Sequence, residues 1–247
     1  MGKRECNLQR LSSVTVEMKT TNVPQCVGFI MDGNRRWAKS RFLPALAGHK
    51  QGYEVLKEMV EVALLEEIPH IVCYAFSTEN WRRSEEEVAG IFSLLKDASH
   101  EYLAKDIAKQ KQVAFQFVGD RSILDDKVVS AIDKVEKLGL ETKPTLTVTV
   151  LLSYGGRAEI VAAVNRAVEA GKRLNEVDFA SLLWTAAIPD PDLVIRTGGE
   201  KRLSNFLPWQ TTYSELFFTD TYWPAFTKDE FRAILAEYSK REKRMGS

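Results

Sequence analysis

Short apolar runs that stop abruptly at polar, glycine-containing or arginine-bearing turns recur along this chain, and longer segments with apolar residues at helical spacing lie between them. The first run, Val27-Gly28-Phe29-Ile30-Met31, ends at Asp32-Gly33-Asn34-Arg35-Arg36-Trp37, and residues 71–76 end at Ser77-Thr78-Glu79-Asn80-Trp81-Arg82-Arg83. Residues 113–118 end at Gly119-Asp120-Arg121, residues 146–152 at Ser153-Tyr154-Gly155-Gly156-Arg157, and residues 192–195 at Arg196-Thr197-Gly198-Gly199. Leu216-Phe217-Phe218 is the last such run, and each has the character of a buried strand. Between them, Val55, Leu56, Met59, Val60 and Ala63 share one helical face; so do Val88, Ile91, Phe92, Leu95, Ala98 and Tyr102, and later Val128, Ile132 and Val135. Strands alternating with helices of this length predict an α/β fold with one central, mostly parallel sheet flanked by helices. No linker, internal repeat or low-complexity block divides the 247 residues, so residues 25–247 are expected to form one domain behind a mobile tail of residues 1–24.

Local signals set some of the boundaries. Pro44 is expected to interrupt any helix running on from Trp37, and a new helix starts near Gly48. Ser84, followed by Glu85, Glu86 and Glu87, opens another, with Glu87 at the capping-box position.

Connections of βαβ type return parallel strands in one direction, so the polar strand ends converge on one edge of the sheet, where such folds bind ligands. Alone, the Asp32 stretch reads either as a helix N-terminus capped by Asp or Asn with solvated arginines, or as a site for metal-bound phosphate. Asp32 with Arg36, Ser77 with Asn80 and Arg83, Gly155-Gly156-Arg157, and Arg196 with Gly198 and Gly199 fall together on that edge, which favours the second reading. Arginines form bidentate bonds to phosphate, glycines let backbone N–H groups approach, and a carboxylate holds Mg²⁺. No Gly-Lys-Ser/Thr loop and no Gly-x-Gly-x-x-Gly is present, which disfavours the usual modes of nucleotide binding. His49, next to Gly48 at a helix start, is a candidate phosphate donor, whereas His70 and His100 read as structural or solvated. Glu215 is on spacing alone an ordinary acid, and Ser204-Asn205-Phe206, behind Lys201 and Arg202, is either a phosphate loop or a polar turn.

The 34 basic residues balance 34 acidic ones, so no global field draws the chain to nucleic acid or to an anionic membrane, and phosphate recognition has to be local. Cys6, Cys26 and Cys73 are odd in number and lack metal-ligand spacing, which suits a reducing cytoplasm. The first 21 residues lack the apolar stretch of a secretory signal, and no run is long enough to span a bilayer.

The runs Met31-Asp32-Gly33-Asn34-Arg35-Arg36-Trp37-Ala38, Gly48-His49, Ala75-Phe76-Ser77-Thr78-Glu79-Asn80-Trp81, Tyr154-Gly155-Gly156-Arg157 and Asp192-Leu193-Val194-Ile195-Arg196-Thr197-Gly198-Gly199-Glu200 resemble the cis-prenyltransferases, of which undecaprenyl diphosphate synthase is the usual bacterial example. So does Ser204-Asn205-Phe206-Leu207-Pro208-Trp209-Gln210 through Glu215-Leu216-Phe217-Phe218. The resemblance runs in order from about residue 24 to the C-terminus. It implies Mg²⁺-dependent, repeated condensation of isopentenyl diphosphate onto an allylic diphosphate such as farnesyl diphosphate, each step adding a cis double bond.

By this resemblance Asp32 holds Mg²⁺ at the allylic diphosphate, Gly33, Asn34, Arg35, Arg36 and His49 surround its phosphates, and Trp37 is a further substrate-binding candidate. Arg196, Arg202 and Ser204 bind isopentenyl diphosphate, with Glu215 helping to hold metal. Ser77, Asn80 and Arg83, with Glu79 and Trp81, lie near the reacting carbons and the leaving group, Ser77 and Asn80 joining Asp32 as candidate catalytic residues. The proton acceptor is either Asp32 or the departing diphosphate. An apolar tunnel between sheet and helices, lined by Val88, Ile91, Phe92 and Leu95, is implied for the growing chain. The ending Arg241-Glu242-Lys243-Arg244-Met245-Gly246 implies a homodimer in which Arg244 and Gly246 reach the neighbouring site, and a very apolar product implies transient membrane contact for its release. A non-catalytic accessory subunit is the rival reading, but such subunits lose the catalytic loop that this chain keeps.

Two positions depart from the family pattern. Ala45 stands where many relatives have an arginine four residues before the Gly-His histidine, with Arg35 or Arg41 as the available substitutes. Thr149, Leu152 and Ser153 occupy the strand before Tyr154, where relatives often carry asparagines. A bulky Leu152 close to the expected tunnel predicts a product shorter than the longest bacterial ones. Chromatography of the products made from farnesyl diphosphate checks this, and an undecaprenyl-length product refutes it.

Overall fold

Six strands carry the expected apolar runs: β1 (Cys26–Ile30), β2 (His70–Ser77), β3 (Val113–Val118), β4 (Leu146–Tyr154), β5 (Leu193–Arg196) and β6 (Glu215–Phe218). They come from a computed structural model that describes residues 22–241; the tail up to residue 21, Arg244 and Gly246 lie outside the described residues. All pair in parallel, in the order β3-β4-β2-β1-β5-β6, so every strand ends at the same edge. The helices among the described residues are α1 (Asn34–Lys39), α2 (Ala45–Leu65), α3 (Glu85–Ala104), α4 (Ile107–Lys111), α5 (Asp126–Leu140), α6 (Gly156–Glu169), α7 (Glu176–Ser181) and α8 (Lys228–Tyr238). The architecture is a single α/β domain.

Side chains alternate across the pleat, and this divides the core into two layers. Val27, Phe29, Ile71, Cys73, Val148, Val150, Leu193 and Ile195 face a large cluster that receives Met59 of α2, Phe92 of α3, Ile132 of α5 and Phe231 of α8. Cys26, Ile30, Val72, Leu151 and Val194 face a smaller one closed by Tyr154, Phe206 and Leu207. Burying each large apolar side chain contributes roughly 1.5–3 kcal/mol, so the two layers account for the fold's preference for this register. On α3, Phe92 is buried, stacks on Trp81 at 5.4 Å and tilts onto Phe76 at 5.1 Å, while Val88, Ile91 and Leu95 pack partly buried against the large cluster.

Pro44 separates α1 from α2 as expected, but α2 begins three residues before Gly48, because Pro44 sits in extended backbone at its N-cap rather than inside it. Ser84 caps α3, its Oγ accepting the Glu87 N–H at 3.3 Å. The strand signals of β4 and β2 run on to Tyr154 and Ser77. Neither α4 nor α7 is visible as apolar periodicity; both are too short to show it, and α7 is fixed by Asn175 Oδ1 accepting the Asp178 N–H at 2.8 Å.

The order of strands places β1 between β2 and β5, with Phe29 opposite Cys73 on one side and Ile30 opposite Arg196 on the other. Chain connections leave β1 toward β2 and return to β5 on its far side, so the crevice beyond the ends of β1 and β5 is a topological switch point. The helices flanking it meet backbone to backbone: a Cβ at Gly48 would lie 2.1 Å from the Asn34 carbonyl oxygen. Gly48→Ala therefore has to push α2 off α1, and we expect it to lower unfolding free energy in urea by about 1–3 kcal/mol. A loss within about 0.5 kcal/mol would show that this contact does not constrain the two helices.

Candidate functional site

Asp32 leaves β1 at the switch point, and its backbone is fixed from three sides. Its carbonyl oxygen accepts the Trp223 N–H at 2.9 Å and the Thr197 hydroxyl at 2.8 Å, while the Trp223 indole donates to Gly52 O of α2 at 2.8 Å. Gly198, at φ +87°, completes the cradle; a Cβ there would meet Arg36 Nη2 at 2.7 Å and the Asp32 carbonyl at 3.2 Å.

The helix-cap alternative for this stretch fails. Gly33 is the N-cap of α1 with no side-chain cap, and Asn34 turns its amide back to Met31 O at 3.1 Å. The Asp32 carboxylate is instead free to meet arginines: Oδ2 accepts from Arg196 Nη2 at 2.9 Å and Oδ1 pairs with Arg36 Nη2 at 3.1 Å. Burial raises its pKa, but the bond from Arg196 and the charge of Arg36 outweigh that and hold the carboxyl below its ordinary value. Arg196 is only 4 % exposed, donates through Nη1 to Ser204 Oγ at 2.7 Å and to the Arg202 carbonyl, and leaves Nε buried without a partner. Arg202 pairs with Glu200, which also lies 4.0 Å from Arg36.

A second cluster adjoins the first. Glu87 of α3 accepts from Arg83 Nη1 at 3.0 Å, lies 3.4 Å from His49 Nε2 and pairs with Arg35 Nε at 3.7 Å. Burial, then the Arg83 charge, lowers the His49 pKa despite Glu87, so the imidazole is neutral at pH 7. A pocket of about 280 Å³ joins the clusters, lined by Met31, Asp32, Gly33, Asn34, Arg35, Arg36, His49 and Arg83.

The remaining candidates flank this pocket or stand away from it. The 3-10 turn Thr78–Arg82 follows β2; the Ser77 N–H donates to Asn80 Oδ1 at 3.1 Å, and Trp81 Nε1 donates to Ser153 Oγ at 3.0 Å. Glu79 accepts from Asn205 Nδ2 at 3.0 Å, and Asn205 in turn accepts the Arg157 N–H at 2.8 Å, tying three strand ends together. Trp37 does not line the pocket; it carries the Arg41 guanidinium 4.3 Å from its ring, and of the two arginines available to substitute at Ala45, Arg35 lines the pocket and Arg41 does not. Glu215 is the first residue of β6, opposite Leu193 at the start of β5, and pairs with Arg241. Within this chain it stands at the opposite strand end from Asp32 and is not brought together with it. Tyr154 behind the pocket donates to the buried Glu159 at 2.6 Å.

Sequence reasoning missed Glu87, Glu200, Asn205, Thr197 and Trp223 as parts of the site. Glu87 reads as a helix-capping acid, and its backbone N–H does donate to the Ser84 cap; nothing in spacing shows that its carboxylate turns to two arginines and a histidine.

A family model described as putative undecaprenyl diphosphate synthase matches residues 30–246. The chain belongs to that family. It is 41% identical over 227 residues to an isoprenyl transferase of Aquifex pyrophilus, covering 91% of this chain and 96% of the relative. It is 42% identical over 229 residues to the isoprenyl transferase of Thermotoga maritima, covering 91% and 97%. Among solved structures, lavandulyl diphosphate synthase from Lavandula x intermedia, in complex with dimethylallyl diphosphate, superposes with a TM-score of 0.86 at 33% identity, covering 91% of this chain and 99% of that one. A probable undecaprenyl diphosphate synthase from Campylobacter jejuni gives 0.76 at 36% identity, covering 92% and 100%. This family member is a transferase of the cis-prenyltransferase class, whose substrates are an allylic diphosphate and isopentenyl diphosphate.

His49 gives the site a pH signature. Its depressed pKa means that the unfolded chain binds the proton more readily, so the stability it contributes is complete above the ordinary value near 6.5 and is lost as pH falls through the lower folded value. We expect urea unfolding to show the wild type losing stability relative to His49→Gln below about pH 6.5, with parallel curves above it. Parallel curves throughout would mean that His49 titrates as in water.

Proposed function

We propose that the protein extends farnesyl diphosphate with isopentenyl diphosphate, adding cis double bonds, with Mg²⁺ as cofactor and Asp32 at the meeting point of two diphosphate sites. The observation that carries this reading is the pairing of one carboxylate with Arg36 on the pocket side and with Arg196 on the Ser204 side. Gly33, Asn34, Arg35, Arg36, His49 and Arg83 bound the allylic site, and Arg196, Arg202 and Ser204 the isopentenyl site. The pocket's lining suits anions: Arg35, Arg36 and Arg83 border one space together with the first residues of α1.

The donors fit Mg²⁺. It favours one or two carboxylates with phosphate and water oxygens, and the described residues offer Asp32, held ionised by its arginines, rather than a three-ligand cage. Asp32 would hold the ion, which when bound neutralises charge developing on the leaving diphosphate. Glu215 enters this reading only through a neighbouring subunit or a rearrangement, since Arg241 occupies it here.

In each condensation the allylic C–O bond breaks, the isopentenyl double bond attacks that carbon, and a proton leaves the extended chain. The pocket arginines bind and orient the departing diphosphate and stabilise its growing charge. That diphosphate is the better proton acceptor, because two guanidiniums lower the basicity of Asp32. The Ser77–Asn80 turn stands beside the reacting carbons, and the apolar face of α3 shields them and receives the growing chain.

A homodimer agrees with the exposed Val161, Val164 and Val168 stripe on α6 and with β6 at a sheet edge; Arg244 and Gly246 would then reach the partner's site. Among the described residues no helix is long and apolar enough to cross a membrane. A very apolar product would leave through transient contact with a bilayer.

Asp32→Asn tests the assignment better than alanine, because the amide keeps the side chain's shape and one acceptor between the arginines, although it too removes the charge that meets buried Arg196. We expect Asp32→Asn to fold with a lowered melting temperature and, assayed well below that temperature, to lose about 10²-fold or more in kcat with Mg²⁺. Wild-type turnover in a folded variant would remove Asp32 from the mechanism.

A further inference from the structure

Every cation of the pocket is paired, but the pairs differ in kind. Arg36 and Arg196 meet Asp32, the proposed metal ligand. Arg83, Arg35 and His49 meet Glu87, and the reaction as described gives Glu87 no task. Its carboxylate is only 11% exposed. Helix capping does not account for it, since Ser84 Oγ already receives the Glu87 N–H and the carboxylate points away to the cations. One acid therefore presents two oxygens to three groups of the type that bind phosphate, and all three line the pocket where the allylic diphosphate is proposed to lie.

A phosphate and a carboxylate cannot hold these donors together, because like charges a few ångströms apart in a poorly solvated pocket repel strongly. We infer that Glu87 is an internal stand-in for phosphate and a specificity-determining residue: it occupies Arg83, Arg35 and His49 until an allylic diphosphate displaces it. The inference rests on the reading of the pocket as the allylic diphosphate site. Glu87 keeps the arginines ordered and neutralised before substrate arrives. It also sets a threshold, since a ligand has to outcompete a built-in anion, which a diphosphate does far better than a monophosphate. Because Glu87 sits in the first turn of α3, one residue before Val88, its release is coupled to the helix whose apolar face adjoins the reacting chain.

The test is calorimetric titration of the full chain with inorganic diphosphate and, separately, inorganic phosphate, alongside steady-state kinetics with farnesyl diphosphate. For Glu87→Gln we expect diphosphate to bind about tenfold more tightly, about 1.4 kcal/mol, and phosphate to gain at least as much, so that discrimination between them falls. The KM for the allylic substrate drops while kcat does not rise. Glu87→Ala shifts binding the same way, and Ser84→Ala, which removes the cap but keeps the carboxylate, does not tighten it. Diphosphate affinity equal to or weaker than wild type in both Glu87 variants overturns the inference, because loss of a merely structural residue or of a direct ligand group can only weaken binding. Failure of the site reading looks different: Arg36→Ala would then bind diphosphate as wild type does, whatever the Glu87 variants do, and the stand-in role falls with it.

Discussion

Arg196 is a cation with 4% of its side chain exposed, and the architecture of the site follows from how its charge is met. A guanidinium taken from water needs a carboxylate in contact and acceptors for its remaining N–H groups. Asp32 supplies the charge from the neighbouring strand end, and Ser204 Oγ and the Arg202 carbonyl supply acceptors from the loop beyond. The pair can form because Ile30 and Arg196 stand opposite each other in the parallel ladder. A shift of one residue in that register would turn Arg196 to the other face of the sheet and leave Asp32 without its strongest partner. The buried Nε with no protein partner marks the side from which a ligand oxygen gains most.

What holds that register is apolar packing away from the chemistry. Phe29, two residues before the Asp32 turn begins to leave the sheet, lies 5.6 Å from the Trp223 ring and 5.2 Å from Phe231. Trp223 then ties the core to the site with its two N–H groups, one to the Asp32 carbonyl and one to Gly52 of α2. The indole thus sets the distance between the carboxylate loop and the helix that carries His49. Gly48 and Gly198 permit approaches that any Cβ would block. Rigidity in the core is in this way converted into fixed positions at the strand ends, which electrostatic stabilisation of a leaving group requires.

The strands and the longer helices were legible because burial on both faces leaves unbroken apolar runs, and burial on one face leaves a helical stripe. The edge on which Asp32, Arg36, Arg83 and Arg196 meet was legible for a related reason, since parallel topology alone brings strand ends together. The side-chain directions were not. Glu87 occupies a position that reads in sequence as a helix-capping acid, so its context conceals the two arginines and the histidine that its carboxylate faces in space. Asn205 reads as part of a polar turn, yet it bonds to Glu79 and to the Arg157 N–H from distant segments. Trp37 sits between pocket residues in sequence, but one helical turn rotates it out to carry Arg41. Long-range partners of this kind have no period in the sequence and become visible only once the sheet order is known.

The same geometry would let a chain with no net charge serve two diphosphates. Around the two proposed sites, Arg35, Arg36, Arg83, Arg196 and Arg202 outnumber Asp32, Glu87 and Glu200, so the local field is positive while the whole molecule is neutral. The excess is modest beside the negative charge of two diphosphates, which is the electrostatic reason that a divalent cation belongs with the proposed reaction. The acids also solve a problem that the arginines create. A row of unpaired guanidiniums at a half-buried strand edge would repel one another and spread into solvent, whereas each is now held in place by a carboxylate. Order before binding lowers the conformational cost of recognition, and the energy needed to part the pairs restricts the site to ligands with enough charge to replace them.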